Sequence, residues 1–215
     1  MALGTPHSAL LLLVALFVPG CGELMDGSVP VGGGSSTARL RGIVVHAEDP
    51  ERAFPNARIT MRSPEGVILR GRSDDRGSWE FANVPPGVLE ITFEGPDPGS
   101  HLPVKVSARA DFSSFTSIAV ALETPHLTAP LVTRIEVSPA AAHAAPGEDV
   151  AFEATIVGGN PRRRVPTWVV EGGVGTISPL GVFHAERIGA GSVRAIVGSV
   201  EGAAVVTVAA PAAGP

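Results

Sequence analysis

The sequence predicts an all-β fold: two tandem β-sandwich domains that follow a signal peptide and a flexible tether. Three observations point there. Apolar residues recur at every second position, as in Ala57, Ile59, Met61 and in Leu89, Ile91, Phe93, with Arg, Thr and Glu between them; this is the period of a strand with one buried face. Turn formers are dense, with 26 Gly and 20 Pro in 215 residues, and they divide the chain into pieces short for helices. Strong hydrophobicity is concentrated at residues 9–18 (ALLLLVALFV), so the positive mean hydropathy overstates how apolar the remainder is.

The apolar run is about half the ~20 residues a helix needs to cross a bilayer, and residues 1–20 read as a signal peptide. The tetrapeptide Val18-Pro19-Gly20-Cys21 that follows resembles the lipobox of bacterial lipoproteins. That resemblance implies a diacylglycerol thioether on Cys21 and cleavage just before it. Cys21 is the chain's single cysteine, so it has no internal disulfide partner, and lipidation gives the lone sulfur a role. The alternative is an ordinary cleaved signal beside an incidental Cys21. Two or more acyl chains, at about 0.8 kcal/mol per buried CH₂, would anchor the protein stably. Residues 21–38 then form a lipidated, Gly/Ser-rich tether with an end-to-end distance on the order of 20–25 Å. Gly22 lacks the aspartate that resembles an inner-membrane retention signal, so the expected location is the cell envelope, at the outer membrane or cell surface.

The first module, 39–123, offers about seven strands: Leu40 to His46, the Ala57 to Arg62 alternation, Val67 to Ser73, Ser78 to Phe81, Leu89 to Phe93, Leu102 to Ala110 and Phe115 to Leu122. Turns such as Asp74-Asp75-Arg76-Gly77 and Pro85-Pro86-Gly87 separate them, and the count indicates a sandwich. Gly42-Ile43-Val44, Pro55-Asn56-Ala57, the stretch from Asp74 to Phe81 and Asn83-Val84-Pro85-Pro86-Gly87, in that order, resemble the carboxypeptidase regulatory-like domain, a prealbumin-like sandwich. Trp79 is in phase with Phe81, which places both on the core face. Asp74 and Asp75 lack the repeated spacing of a calcium loop, and Lys105, the only lysine, is expected to be solvated.

Across the 124–130 linker, bounded by Pro125 and Pro130, alternation resumes in the second module, 131–210, with Ile135, Val137 and then Val150, Phe152, Ala154, Ile156. Further strands fall at Val165 to Val170, Gly175 to Ile177, Val182-Phe183, Val193 to Val197 and Ala204 to Val208, ahead of a short tail at 211–215. Ile135-Glu136-Val137-Ser138-Pro139, Gly147, Trp168, Gly175-Thr176-Ile177-Ser178, Gly181-Val182-Phe183 and Val205-Val206-Thr207-Val208 together resemble bacterial Ig-like domains of the invasin and intimin type. That resemblance implies a spacer or adhesive module. Trp168 is expected to fill the core. Arg162, Arg163 and Arg164 follow a Gly-Gly-Asn-Pro turn and are weak candidates for meeting an anionic surface.

Net charge is −5, distributed as −2 before residue 39, −2 in the first module and −1 in the second. No basic stripe suggests a nucleic-acid partner. The six histidines are scattered without a zinc-ligand spacing, and neither a Gly-x-Ser-x-Gly elbow nor a Walker or dinucleotide loop occurs. The expected protein is therefore a non-enzymatic lipoprotein without cofactor or metal. It would be bound to membrane lipid through Cys21 and present its sandwiches to an envelope protein or polysaccharide. The alternatives are a carbohydrate-binding module of starch-binding-like fold, which would need exposed aromatics, and a catalytic accessory component, which would need His and carboxylate to meet in a cleft.

Overall fold

Period-two patterning in this chain produces strands throughout, and the described residues contain no helix. The structure is a computed structural model that describes residues 37–125, 131–159 and 165–211. The apolar run, Cys21, the tether up to residue 36, His126, Arg162, Arg163, Arg164 and the last four residues lie outside them.

The first module contains β1 (Ala38–His46), β2 (Asp49–Ala53), β3 (Arg58–Arg62), β4 (Ile68–Arg72), β5 (Ser78–Val84), β6 (Gly87–Glu94), β7 (Val104–Ala110) and β8 (Phe115–Leu122). Four of these form an antiparallel sheet in the order β4-β3-β6-β7. Its inner face carries Ile59, Met61, Leu89, Ile91, Phe93 and Val106, all buried. The connection from β4 to β5, which crosses from the four-stranded sheet to β1's sheet, turns on Asp74, whose Oδ1 accepts from the backbone N–H groups of Arg76 and Ser78 at 2.9 and 2.8 Å. Gly77 closes this turn at φ 74°, and a Cβ there would lie 2.2 Å from the Val44 carbonyl oxygen, so both backbone angle and space require glycine. Asp74 is thus committed to turn geometry.

The second module contains β9 (Val132–Ser138), β10 (Ala141–Ala144), β11 (Asp149–Ala151), β12 (Glu153–Gly158), β13 (Thr167–Glu171), β14 (Gly175–Ile177), β15 (Val182–Ala185), β16 (Gly189–Val197) and β17 (Val200–Val208). The alternating stretch from Val150 to Ile156 is divided between two strands. Phe152 donates its N–H to the Gly181 carbonyl at 2.9 Å, and there the chain passes from the β11-β15-β14 sheet to the β12-β9 pair. Alternation survives the switch, since Phe152 and Ile156 are both buried.

One large sheet connects the two modules. Its order is β10-β17-β16-β13-β8-β1-β2, with β5 also paired to β1. β8 runs parallel to β1, with Ile118 opposite Gly42, and antiparallel to β13, with Ala119 opposite Trp168. Alternate residues of this sheet feed different cores. Leu40, Val44, Ile118, Val120, Val169 and Ile196 point into the first, which is completed by the four-stranded sheet, Trp79 and Phe81. Ala119, Trp168, Val170, Val193 and Ala195 point into the second, completed by Phe152, Ile156, Ile177 and Phe183. β8 is accordingly buried on both faces from Thr116 to Leu122, as strands between two packed layers are. The sandwiches therefore share a wall, and each core borrows strands from the other module.

Polar contacts seal the same junction. Arg194 of β16 donates to Glu171 Oε1 at 2.9 Å, to the Ser107 carbonyl at 2.7 Å and to Glu201 Oε2 at 2.8 Å. Glu171 also accepts from the Arg109 N–H at 2.8 Å. Nearer the start of the sheet, Arg41 ion-pairs with Glu186 and lies 3.9 Å above the Phe115 ring.

Candidate functional site

Aromatic side chains are consumed by the cores. Trp79 and Trp168 are only 6% and 2% exposed, Trp79 packing edge-on against Phe81 and Phe93. Neither tryptophan is available to stack against a sugar from outside. Among the described residues Phe112 is the one exposed Phe or Trp, at 62%.

Histidine and its neighbours make three arrangements, none enclosed. His184 Nδ1 lies 2.7 Å from Asp149 Oδ1, a cross-strand pair between β15 and β11 whose side chains are 51% and 63% exposed. Water surrounds this pair, whereas proton transfer in catalysis calls for a positioned substrate proton in a protected site. His101 Nδ1 is 3.0 Å from Ser100 Oγ, but that hydroxyl donates to the Asp97 carbonyl at 2.8 Å, away from the ring. His46 and His101 flank Phe54, with ring centroids 4.5 and 4.6 Å from it. Among the described residues no three His, Cys, Asp or Glu side chains gather to hold a metal ion, and no helix is long and apolar enough to cross a membrane.

Burial, reinforced by Arg52, holds the His46 pKa below its ordinary value, while Glu48 and Asp49 oppose the shift. The folded protein therefore binds a proton at His46 less readily than the unfolded chain. The associated stability is complete above the ordinary histidine pKa of about 6.5 and declines as pH falls from there toward the depressed folded value. Urea midpoints measured from pH 7.5 to 5 are expected to fall in the wild type, and His46→Asn is expected to flatten part of that fall.

Open clefts indent the surface of the described residues. One, of about 580 Å³, lies between β1, β5 and β14 and is lined by Arg41, Ser78, Glu80, Ser117 and Thr176. Another, of about 590 Å³, is proline-rich, lined by Pro50, Pro139, Pro166 and Pro179 with Glu153 and Trp168. A third, of about 540 Å³, runs from the outer face of β3, β6 and β7 to the β16–β17 turn, past Arg62, Thr92, Lys105, Arg194 and Ser199.

That cleft opens onto a basic surface of the first module. Outward residues of the four-stranded sheet are Arg58, Thr60 and Arg62 on β3, Ile68, Arg70 and Arg72 on β4, Val88, Glu90, Thr92 and Glu94 on β6, and Lys105, Ser107 and Arg109 on β7. Six cations stand against two carboxylates, a net +4 on one face of a chain whose total is −5. Register places Arg72 directly opposite Arg58, and it aligns Arg70, Thr60, Thr92 and Lys105 in one row across the strands. Arg58 pairs with Glu94 and Arg109 with Asp111. Arg62, Arg70, Arg72 and Lys105 are exposed and have no ion-pair partner among the described residues.

Sequence reasoning placed Arg58 and Arg62 on the polar side of one strand but did not bring them together with Arg70, Arg72 and Lys105. The alternation of Arg58, Thr60, Arg62 and of Arg70, Arg72 put each group on a single side of its strand, while strand order alone decides that both sides coincide. Cys21, Arg162, Arg163 and Arg164 lie outside the described residues, and Lys105 is exposed as expected.

No family model matches the chain, and no curated protein sequence matches it. Solved structures do, at low identity. The Bacillus anthracis TIE protein is 10% identical with a TM-score of 0.33, the match covering 80% of this chain and 33% of that one. A C-terminal 282-residue fragment of intimin, solved in complex with the intimin-binding domain of the translocated intimin receptor, is 12% identical with a TM-score of 0.25, covering 77% and 60%. BcpA, the major pilin subunit of Bacillus cereus, is 12% identical with a TM-score of 0.28, covering 79% and 69%. This chain thus spans a third of the TIE chain and 60% of the intimin fragment. The all-β assignment rests on the strand order and register described above.

Proposed function

We propose that the chain is a non-enzymatic, lipid-anchored surface protein that holds a rigid pair of β-sandwiches out from the cell envelope for binding or scaffolding. The observation that carries this reading is the shared central sheet. From β1 through β8, β13 and β16 to β17 the strand directions are up, up, down, up, down. The chain therefore enters β1 at Ala38 and leaves β17 at Val208 at the same end of the sheet. The turn after His46 and the Val197–Val200 turn lie at the opposite end. A tether from Cys21 joined at Ala38 would leave that far end and the flanking faces free to meet a partner.

The first module belongs, on this reading, with carboxypeptidase regulatory-like sandwiches and the second with bacterial Ig-like domains. Their common service is display, in keeping with cores that absorb both tryptophans and with the exposed, open pairing of His184 and Asp149. Mass spectrometry of membrane-fraction protein tests the anchor. A diacylglycerol-bearing N-terminal Cys21 peptide is expected in the wild type and none in Cys21→Ser. An unmodified wild-type peptide, with the same distribution of both proteins between membrane and soluble fractions, would contradict the reading.

A further inference from the structure

We propose that the outer face of the β4-β3-β6-β7 sheet is a binding surface for a linear acidic polysaccharide. This names a partner class for the display function and rests on that reading for the face's place outside the cell. The face concentrates positive charge in a chain that is acidic overall, and it does so where the register sets Arg58 and Arg72 side by side, a like-charge pairing that costs stability in a sheet. Among the described residues Arg62, Arg70, Arg72 and Lys105 make no ion pair, although register sets Arg62 opposite Glu90. The row Arg70, Thr60, Thr92, Lys105 contains no carboxylate, and its charge, beside that of Arg72, is complementary to a polyanion.

The spacing and the residues between the cations favour a sugar polymer. Arg70 and Lys105 are separated by three strand spacings, about 14 Å, with the hydroxyls of Thr60 and Thr92 between them. Cations reach carboxylates through charge-assisted hydrogen bonds, while hydroxyls both donate to and accept from sugar hydroxyls. The cleft past Lys105 and Ser107 toward Ser199 adjoins this track at the β7 edge; Glu90 and Glu201 also line it, and Arg194 there is already paired with Glu171 and Glu201. A lipid surface rewards apolar side chains set beside the cations, but here Ile68 and Val88 stand only at the margins. Nucleic acid bases reward aromatic platforms, and this face has no aromatic residue.

The test uses the purified full chain and polygalacturonate, with dextran as the neutral polymer and phosphatidylglycerol vesicles as the lipid arm. Polygalacturonate is expected to bind, to weaken steeply with added salt, and to lose roughly tenfold in affinity in the triple variant Arg62→Gln, Arg70→Gln, Lys105→Gln. A second triple, Arg52→Gln, Arg134→Gln, Arg187→Gln, changes net charge equally at positions off the face and is expected to retain wild-type binding. Lys105→Glu alone, at an exposed unpaired position, is expected to weaken binding while keeping the wild-type urea midpoint. No binding of polygalacturonate, equal binding of dextran, equal losses in both triples, or binding to vesicles alone would each overturn the proposal. Because the assay reads purified protein, its failure leaves the Cys21 anchor and the display reading standing, and an unlipidated Cys21 leaves this result intact.

Discussion

Gly42→Ala is expected to destabilise the protein by about 3 kcal/mol, at the upper end of what inserting one methyl group into a packed site costs. Gly42 sits in β1 directly opposite Ile118 of β8. A Cβ at this position would lie 1.8 Å from the Ile118 carbonyl oxygen and 2.8 Å from its carbonyl carbon. Both atoms are backbone, so no side-chain rotation relieves the overlap; the strands must separate or slip. A slip by one residue would turn the inward set Ile118, Val120, Leu122 away from the first core and Ala119 away from the second. Urea unfolding should show a lower midpoint, and hydrogen exchange should show lost protection along β1 and β8 together. A variant with wild-type midpoint and protection would mean that β1 and β8 are not packed in this register.

Arg194→Met is expected to cost about 2–4 kcal/mol, somewhat less than the loss of one partner from a fully buried ion pair. Methionine retains most of the packed length but removes every donor that reaches Glu171, Glu201 and the Ser107 carbonyl. Arg194 and Glu171 side chains are 16% and 18% exposed, so the carboxylate left behind remains largely desolvated. It would keep the Arg109 N–H at 2.8 Å and the weaker Ser192 hydroxyl contact at 3.3 Å. Glu171→Gln in the Arg194→Met background removes that stranded charge. The double-mutant cycle is expected to return a coupling of about 1–2 kcal/mol. Additive effects in the cycle would show that the two side chains do not interact across the junction.

The sequence carried the strands but not the sheet order, for reasons visible in particular residues. β1, β3, β5, β6 and β7 are legible because one face is apolar and the other largely polar, β8 is legible as an apolar run, and Trp79 and Trp168 could be assigned to cores from phase alone. β2 (DPERA) has no apolar alternation and contains Pro50. It exists because its ends pair with Val45 and His46, as proline tolerates only at an edge. β10 (AAHA) is equally silent, recruited by parallel pairing with Val205 to Val208. The shared wall left a subtler trace. On β8 the positions that should face water are Ser117, Ala119 and Ala121, small and uncharged, where neighbouring strands carry Arg, Glu or Lys. Val169 beside Trp168 and Val170 breaks alternation in the same way. Both are signs of burial on two faces, and neither names the partner strand. The basic face was hidden for the same reason, since charges on β3, β4 and β7 become one surface only after pairing.

The shared central sheet makes one prediction that the other results depend on: the two cores unfold as one unit. Each core contains its own tryptophan, Trp79 in the first and Trp168 in the second, so Trp168→Phe and Trp79→Phe leave single reporters of opposite sides of the wall. Within each variant, urea transitions followed by the remaining tryptophan's fluorescence and by backbone circular dichroism should coincide in midpoint and slope. A fluorescence transition in either variant that finishes while part of the circular dichroism signal persists would show that the sandwiches unfold separately, and would contradict the shared sheet.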